Sequence, residues 1–251
     1  MTTVDTPKKV LRSELLLVLG LSLGASGVFA LLNIIRDALR GPLRGQTSTV
    51  VGARYDNSWL DLAFQLTATF VGLIPVLLVV HLMARNRESV RDLGFDTAHP
   101  RTDLLRGAVI AAVIGGSGLA LYLTAYELGL STEVVVTTLR DTWWRDAVLV
   151  LSAIQNAVLE EVIVLGYVLV RLQQLGWSFR KAAITSSLLR GSYHLYQGFG
   201  GFIGNAIMGL IFAWLFKRWG RVGPFVVAHA LIDIVAFVGY AHLAGKVGWL
   251  P

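Results

Sequence analysis

Long apolar runs, separated by short segments that carry charge, dominate the sequence. A helix that crosses a bilayer needs about 20 consecutive apolar residues, and seven runs reach or approach that length. They lie near residues 14–35, 59–82, 104–126, 146–170, 181–199, 201–216 and 222–243. The pattern predicts an all-α, polytopic membrane bundle of about seven or eight transmembrane helices. We expect one membrane domain over residues 1–251.

The segments between these runs predict less. Residues 1–12 are polar and are expected to form an N-terminal tail. Residues 36–57 are rich in Gly, Ser, Thr and Arg, which is typical of a loop. Residues 128–144 end in Trp143 and Trp144, whose amphipathic rings suit the lipid headgroup layer, so they predict an interfacial segment.

Composition supports a membrane protein and excludes several other classes. Hydrophobic residues make up 55% and charged residues 15% of the chain, whereas a soluble domain carries about 25% charged residues. The mean hydropathy of +0.63 is too high for an ordinary soluble enzyme. The absence of Cys excludes disulfides and thiolate metal sites.

The net charge of +6 does not predict a nucleic-acid partner, because Lys and Arg lie mostly in short loops between the apolar runs. If the N-terminus is cytoplasmic, the inner loops hold 14 of these residues and the outer loops hold 7. Cytoplasmic loops of membrane proteins carry such an excess. We therefore expect a bacterial-type plasma membrane protein with its N-terminus in the cytoplasm.

Six ionisable residues lie inside the predicted spans of the C-terminal half, where charge is costly and usually functional. They are Glu160, Glu161, Arg190, His194, His229 and Asp233. At about 1.5 Å per helical residue, the two histidines, Glu160 and Asp233 fall within a slab about 10 Å thick. Three spans therefore bring polar groups to one depth, which predicts a shared site.

The spacing of these residues also predicts which of them face each other. Arg190 and His194 are four residues apart on one helix, as are His229 and Asp233, so each pair shares a helix face. Glu160 and Glu161 are neighbours and cannot point the same way. We expect one carboxylate to face the site and the other to pair with Arg190. Tyr167, seven residues after Glu160, is predicted on the same stripe.

The chemistry of this residue set leaves two routes open. Glu160, His194 and His229 form a set that can bind a divalent metal such as Zn²⁺, which activates water. Without a metal, a buried glutamate beside a histidine can act as a general base. Either route leads to attack of water on a carbonyl. Asn205 is expected to hydrogen-bond either into this site or to a neighbouring helix.

Two alternative functions that involve no hydrolysis remain open. The polar residues can form a network that only locks the helices together, as in a membrane scaffold. Intramembrane charges also mark ion paths in transporters, although no inverted repeat is recognisable in the sequence.

Three motifs in order resemble the CPBP family, the CaaX proteases and bacteriocin-processing intramembrane proteases. The family motifs are EExxxR, FxxxH and HxxxN or HxxxD. Glu160-Glu161 stands at the first motif, His194 ends the second, and His229 to Asp233 form the third in its Asp form. The resemblance covers about residues 145–240, which we expect to be the catalytic core.

This resemblance implies roles for the residues and a class of substrate. Glu160 and His194 would hold and activate the hydrolytic water, and His229 and Asp233 would bind a metal or stabilise the oxyanion. The implied partners are membrane lipid, a membrane-associated protein or peptide substrate, and a possible partner membrane protein, with no nucleic acid.

The sequence departs from the family pattern at two positions. Leu165 stands where the first motif has Arg, and Arg190 stands where the second motif has Phe. One interpretation is that Arg190 supplies, from the next span, the cation that the first motif lacks. The other is an inactive member that serves as a scaffold or immunity-type partner. We favour the first, because an arginine inside a span needs a carboxylate partner.

Overall fold

The apolar runs fold as helices in the computed structural model, which describes residues 6–247. Within that range there are ten α-helices: α1 Lys8–Gly20, α2 Leu23–Arg40, α3 Ser58–Gly72, α4 Ile74–Arg85, α5 Pro100–Glu127, α6 Arg145–Glu160, α7 Leu169–Gln174, α8 Phe179–Tyr193, α9 Phe199–Trp219 and α10 Gly223–Leu243. A π-helix, Glu161–Val168, joins α6 to α7. Short 3₁₀ turns cover Leu43–Gly45, Val90–Leu93 and Leu195–Gln197.

The all-α membrane bundle is confirmed, but with fewer long spans than predicted. In the described residues, five segments are long and apolar enough to cross a membrane: Ser58–Arg85, Pro100–Glu127, Arg145–Gln174, Phe199–Trp219 and Gly223–Leu243. Helices α1 and α2 make a sixth if they count as one span, bent by 49°. The predicted run 181–199 does not qualify. Its helix ends at Tyr193, and Gly198 then turns the chain into α9 with a φ of 97°.

One face of the short helix α8 is buried in the bundle, where it packs against α2, α9 and the π-helix. Small residues allow this close packing. A Cβ on Gly191 would lie 2.7 Å from the carbonyl oxygen of Phe202, so only glycine fits there. Ser186 and Ser187 are also buried on α8. The opposite face of α8 is apolar and open, with Ile184 51% and Leu188 50% exposed.

The π-helix lies at the centre of the bundle, and all eight of its residues are buried. Its backbone makes i→i+5 bonds, an uncommon geometry that occurs frequently at functional sites. A serine of α8 supports it, because Ser186 Oγ donates a hydrogen bond of 2.7 Å to the carbonyl oxygen of Val164. The polar face of α8 therefore satisfies a backbone group of the π-helix.

Two loops pair as a small parallel sheet that the sequence pattern did not predict. Strand β1 (Thr47–Val51) lies in the predicted loop, and β2 (Glu133–Thr137) lies in the predicted interfacial segment. The two strands pair from Thr47 with Glu133 to Val51 with Thr137. Such short strands, brought together only by the helices between them, leave no periodic signal in the sequence.

Two further expectations about segments need correction. Trp144 is buried and donates from Nε1 to Ser58 Oγ at 3.0 Å, so of the tryptophan pair only Trp143 is exposed. Helix α1 begins at Lys8, inside the predicted polar tail. Of that predicted tail, residues 1–5 lie outside the described residues.

One end of the bundle is fixed by an arginine between two acids. Arg221, in the turn before α10, donates from Nη2 to Asp103 Oδ2 at 2.7 Å and to Asp96 Oδ1 at 3.0 Å. These contacts join the α9–α10 turn to the loop before α5 and to the first turn of α5. They fix the start of α10, the helix that carries His229.

We expect the contribution of Asp96 to depend on pH. The hydrogen bond from Arg221 lowers the pKa of Asp96. A carboxyl whose pKa is lower in the folded state stabilises the fold above its unfolded pKa and loses that effect as the pH falls. Asp96→Asn should therefore lower the unfolding temperature at pH 7. The difference in unfolding temperature between wild type and Asp96→Asn should shrink as the pH falls from about 5 to 3.

Thermal unfolding in detergent across this pH range measures this difference. Asp92→Asn serves as the control for loss of a carboxylate from the same loop. The Asp92 carboxylate accepts a hydrogen bond from the backbone N–H of Ser89 and does not pair with Arg221 within the described residues. If the difference in unfolding temperature between wild type and Asp96→Asn stays constant from pH 7 to pH 3, the ionised Asp96 carboxylate does not stabilise the fold through Arg221.

Candidate active site

Glu161 is the fully engaged member of the glutamate pair. It is the first residue of the π-helix and is completely buried. Its Oε2 accepts a hydrogen bond of 2.7 Å from Nη2 of Arg190 on α8. Its Oε1 lies 2.7 Å from Nδ1 of His229 on α10. Both oxygens of Glu161 are therefore used to join three helical elements.

Glu160, the last residue of α6, keeps one oxygen available. Tyr193 donates its hydroxyl to Oε2 of Glu160 at 2.8 Å. Nη1 of Arg190 and Nε2 of His194 each lie 3.7 Å from that same oxygen. Among residues 6–247, no hydrogen bond is recorded to Oε1. Glu160 is 7% exposed, so this carboxylate is buried but not sealed.

His194 is the second group with open hydrogen-bonding capacity. It follows the last residue of α8, and its backbone (φ −97°, ψ 0°) ends the helix there. Neither ring nitrogen has a hydrogen-bond partner within the described part of the chain. Its side chain is 16% exposed. Since buried polar atoms are normally satisfied, water or substrate is the natural partner of this imidazole.

His229 lies between two carboxylates. Its Nδ1 contacts Glu161, and its Nε2 lies 3.6 Å from Oδ2 of Asp233, one turn further along α10. Helix α10 packs against both α5 and α6, which brings His229 to the level of the glutamates. All six predicted ionisable residues thus lie in one cluster, with Asp233 at its edge.

The predicted division between the two glutamates is wrong in one respect. We expected one carboxylate to face the site and the other to pair with Arg190. The Arg190 contact is present, but both carboxylates face the same cluster. Adjacent helical residues differ by about 100°, and Arg190 lies where the two long side chains can converge on it.

Two predicted supporting residues lie elsewhere. Tyr167 packs under Arg171, whose guanidinium carbon is 4.8 Å from the ring centre. Seven residues of a regular α-helix return to nearly the same face, but the π-helix advances less per residue and turns Tyr167 away from Glu160. Within residues 6–247, Asn205 hydrogen-bonds neither the site nor a neighbouring helix; its Nδ2 donates to the Gly201 carbonyl of its own helix at 3.0 Å.

Tyr193 is the site residue that sequence reasoning missed. It is 5% exposed, contacts Glu160 through its hydroxyl, and packs beside His194 with ring centres 4.9 Å apart and ring planes tilted by 43°. The second motif spans this position but leaves its residue type open. The available signal was a tyrosine next to the motif histidine, since a buried tyrosine hydroxyl usually has a partner.

The residues do not fit a metal ion as they are arranged. Ligand atoms of Glu160, Glu161 and His229 lie within 4.8 Å of one another; the predicted set had His194 in place of Glu161. Glu161 and His229 already bond each other, and the guanidinium of Arg190 lies among these atoms. A divalent ion there would have to displace a buried cation that pairs, within the described residues, only with these two glutamates.

Comparison with known families covers this whole cluster. Residues 142–235 match the family model described as Type II CAAX prenyl endopeptidase Rce1-like. The match confirms the predicted resemblance to CPBP proteases and contains every ionisable residue of the cluster. Neither a curated protein nor a solved structure matches the chain.

The apolar helices and the Rce1-like match together support one coarse statement: the chain is an integral membrane protein. Over residues 142–235 it is similar to a family of CAAX-type intramembrane endopeptidases. The Rce1-like segment begins just before α6 and ends two residues after Asp233. It therefore spans α6, the π-helix, α7, α8, α9 and the first half of α10.

Arg190 should be essential for stability. Arg190→Met would leave two adjacent carboxylates buried without a cation, and breaking a buried pair in this way costs about 3–5 kcal/mol. The free energy of unfolding in detergent, from denaturant titration, measures this loss. Adding Glu161→Gln to Arg190→Met should recover part of it.

Arg180→Met is the matched control, because Arg180 is exposed at the start of the same helix. If Arg190→Met unfolds like the control, the guanidinium does not compensate the glutamates.

Proposed function

We propose that this protein hydrolyses a peptide bond of a membrane-associated protein or peptide, with water activated by Glu160 and His194. One observation carries the proposal. Among the described residues, one oxygen of the buried Glu160 carboxylate and both nitrogens of the neighbouring His194 ring have no hydrogen-bond partner, inside the segment that matches a protease family. Those are the two groups that a general base and its partner need.

In the proposed reaction, water binds between Oε1 of Glu160 and His194. Glu160 takes a proton from the water, and the water oxygen bonds to the substrate carbonyl carbon. This addition forms a tetrahedral intermediate. His194 donates a hydrogen bond from its protonated ring nitrogen to the developing oxyanion. The C–N bond then breaks, and the proton held by Glu160 passes to the leaving amine nitrogen.

The remaining residues keep Glu160 in position. Glu161, Arg190 and His229 form a hydrogen-bonded chain across three helical elements, which holds the catalytic helices together. Because both nitrogens of His229 face carboxylates, we assign this residue and Asp233 to that chain rather than to water activation. The predicted divalent metal, Zn²⁺, stays a prediction, and the proposed reaction includes no step that uses it.

We also propose that the N-terminus is cytoplasmic in a bacterial-type plasma membrane. The loops at the end of the bundle that contains the start of α1 carry most of the Lys and Arg. This distribution is the one expected for cytoplasmic loops. The substrate and any partner membrane protein stay proposals on the same footing.

A second candidate is an inactive scaffold or immunity-type partner. The hydrogen-bonded chain of Arg190, Glu161 and His229 favours this candidate, because the chain would hold the helices together whether or not water is activated. The two candidates differ in what they require of Glu160. A peptidase needs its carboxylate as a proton acceptor, whereas a scaffold needs only the volume of the Glu160 side chain and its hydrogen bond to Tyr193.

Glu160→Gln should abolish hydrolysis while the fold persists. The amide retains an oxygen for Tyr193 but cannot take a proton, so we expect about a 10²–10⁴-fold loss of rate. The measurement compares new N-termini, by mass spectrometry, in a host membrane extract incubated with purified wild type or variant. Chelator-treated wild type belongs in the same experiment and should stay active.

Glu133→Gln, a substitution in β2 outside the cluster, is the control and should behave as wild type. Equal numbers of new N-termini from wild type and Glu160→Gln would favour the scaffold. Activity that disappears on chelation and returns with Zn²⁺ would contradict the metal-free reaction.

Tyr193 should act as a positioning residue for Glu160. Removing a hydrogen bond to a charged group is worth about 1.5–3 kcal/mol, so Tyr193→Phe should lower kcat about ten- to a hundredfold. KM should change little, because the hydroxyl contacts the carboxylate rather than the substrate. Steady-state cleavage of a peptide identified in the N-terminus experiment measures both constants.

Tyr167→Phe is the matched control, because the Tyr167 hydroxyl has no hydrogen-bond partner within residues 6–247. A rise in KM with kcat unchanged in Tyr193→Phe would show that the tyrosine binds substrate instead.

A further inference from the structure

The two ends of the bundle differ sharply in charge. The end formed by the starts of α1, α5, α8 and α10 and the ends of α4, α7 and α9 carries fourteen Lys and Arg against five Asp and Glu in the described residues. We call it the basic end. The opposite end, with the small sheet, carries seven of each type. The net positive charge of the protein therefore lies at one end.

Ion pairing follows the same division. At the basic end, the cations paired with carboxylates among the described residues are Arg85, Arg171 and Arg221. At the opposite end, the paired cations are Arg36, Arg40, Arg44, Arg140 and Arg145. Most of the positive charge at the basic end is thus available to an external anion.

Four of the available cations lie over aromatic rings. Lys181 Nζ is 4.1 Å from the ring centre of Trp177, and Lys217 Nζ is 4.7 Å from that of Phe179. The guanidinium carbons of Arg218 and Arg106 lie 4.1 and 4.6 Å from the rings of Trp214 and Trp219. Cation–π contact holds each charge in place and leaves N–H groups free to donate.

The cations of these pairs lie on α5, α8 and α9, and α9 packs against both other helices. Lys217 on α9 lies over Phe179 of α8, and Arg106 on α5 lies over Trp219 of α9, so the pairs connect three helices. We call Arg106, Lys181, Lys217 and Arg218 with their rings the cation–aromatic belt. Lys217 and Arg106 are held over rings of neighbouring helices, and Arg218 lies over a ring of its own helix.

The belt borders an exposed apolar surface. Leu105 is 68% exposed beside Arg106, and Ile184 is 51% exposed one turn from Lys181. Trp214 itself is 50% exposed. A ligand that satisfies both zones needs an anionic group and, directly next to it, hydrocarbon. A nucleic acid or a soluble acidic peptide offers only the first.

We propose that the cation–aromatic belt binds the headgroups of anionic phospholipids, while their acyl chains cover the adjacent apolar helix faces. Each Lys or Arg near an anionic leaflet adds to the attraction, and tryptophan is enriched at this depth. The surface lies outside the Glu160 cluster, so the proposal does not depend on peptidase activity.

Thermal unfolding of the full-length protein in neutral detergent tests the proposal. Added phosphatidylglycerol should raise the unfolding temperature, and added phosphatidylcholine should not. The variant Lys181→Gln, Lys217→Gln, Arg218→Gln should need about ten times more phosphatidylglycerol for the half-maximal rise. The control variant Arg36→Gln, Arg40→Gln, Arg140→Gln removes as many positive charges from the opposite end and should respond as wild type.

Three results would overturn the proposal. The first is an equal response of the belt variant and wild type. The second is an equal loss in both variants, which would make the effect one of net charge. The third is an equal rise with inorganic phosphate or soluble polyglutamate, which would identify a general anion surface. If the triple variant does not fold, Lys181→Gln alone should still shift the half-maximal concentration severalfold, and no shift would count against the belt.

Discussion

Two adjacent buried carboxylates cannot persist in an apolar bundle without a cation, and Arg190 provides that cation. Its guanidinium contacts Glu161 at 2.7 Å and lies 3.7 Å from Glu160, while Arg190 itself is 1% exposed. Charges at this depth are tolerated only when paired and hydrogen-bonded. The position of α8, and with it the position of His194, follows from the need to bring Arg190 to the glutamates.

The packing around α8 serves this contact. Gly191 allows α8 to approach α9 closely, and Ser186 bonds the carbonyl of Val164 in the π-helix. Because Glu161 takes both Arg190 and His229, Glu160 is left with a single strong hydrogen bond, from Tyr193. The same network that satisfies one carboxylate thereby leaves the other available for chemistry.

The sequence was sufficient for the features that depend on charge and depth. Costly groups at a common depth predicted the cluster, and the need of Arg190 for a carboxylate predicted its contact with the glutamate pair. The motif order predicted the family match over residues 142–235. In each case a single strong energetic term decides the outcome, so a residue type and a spacing are enough.

Features that depend on backbone geometry could not be predicted in this way. The π-helix leaves no trace in apolar periodicity, and it moved Tyr167 away from the site and beside Arg171. The early end of α8 depends on tertiary packing, so the run 181–199 was predicted as a full span. Tyr193, the last residue of α8, reaches Glu160 from a position that the second motif leaves variable.

A high-resolution structure of the full-length protein in lipid nanodiscs, determined with Zn²⁺ present, tests the central claim most directly. The account predicts the Arg190 guanidinium within hydrogen-bond distance of Glu161, with water density between Oε1 of Glu160 and His194. Metal density bound by Glu160, His194 and His229, with Arg190 turned away from both glutamates, would contradict it.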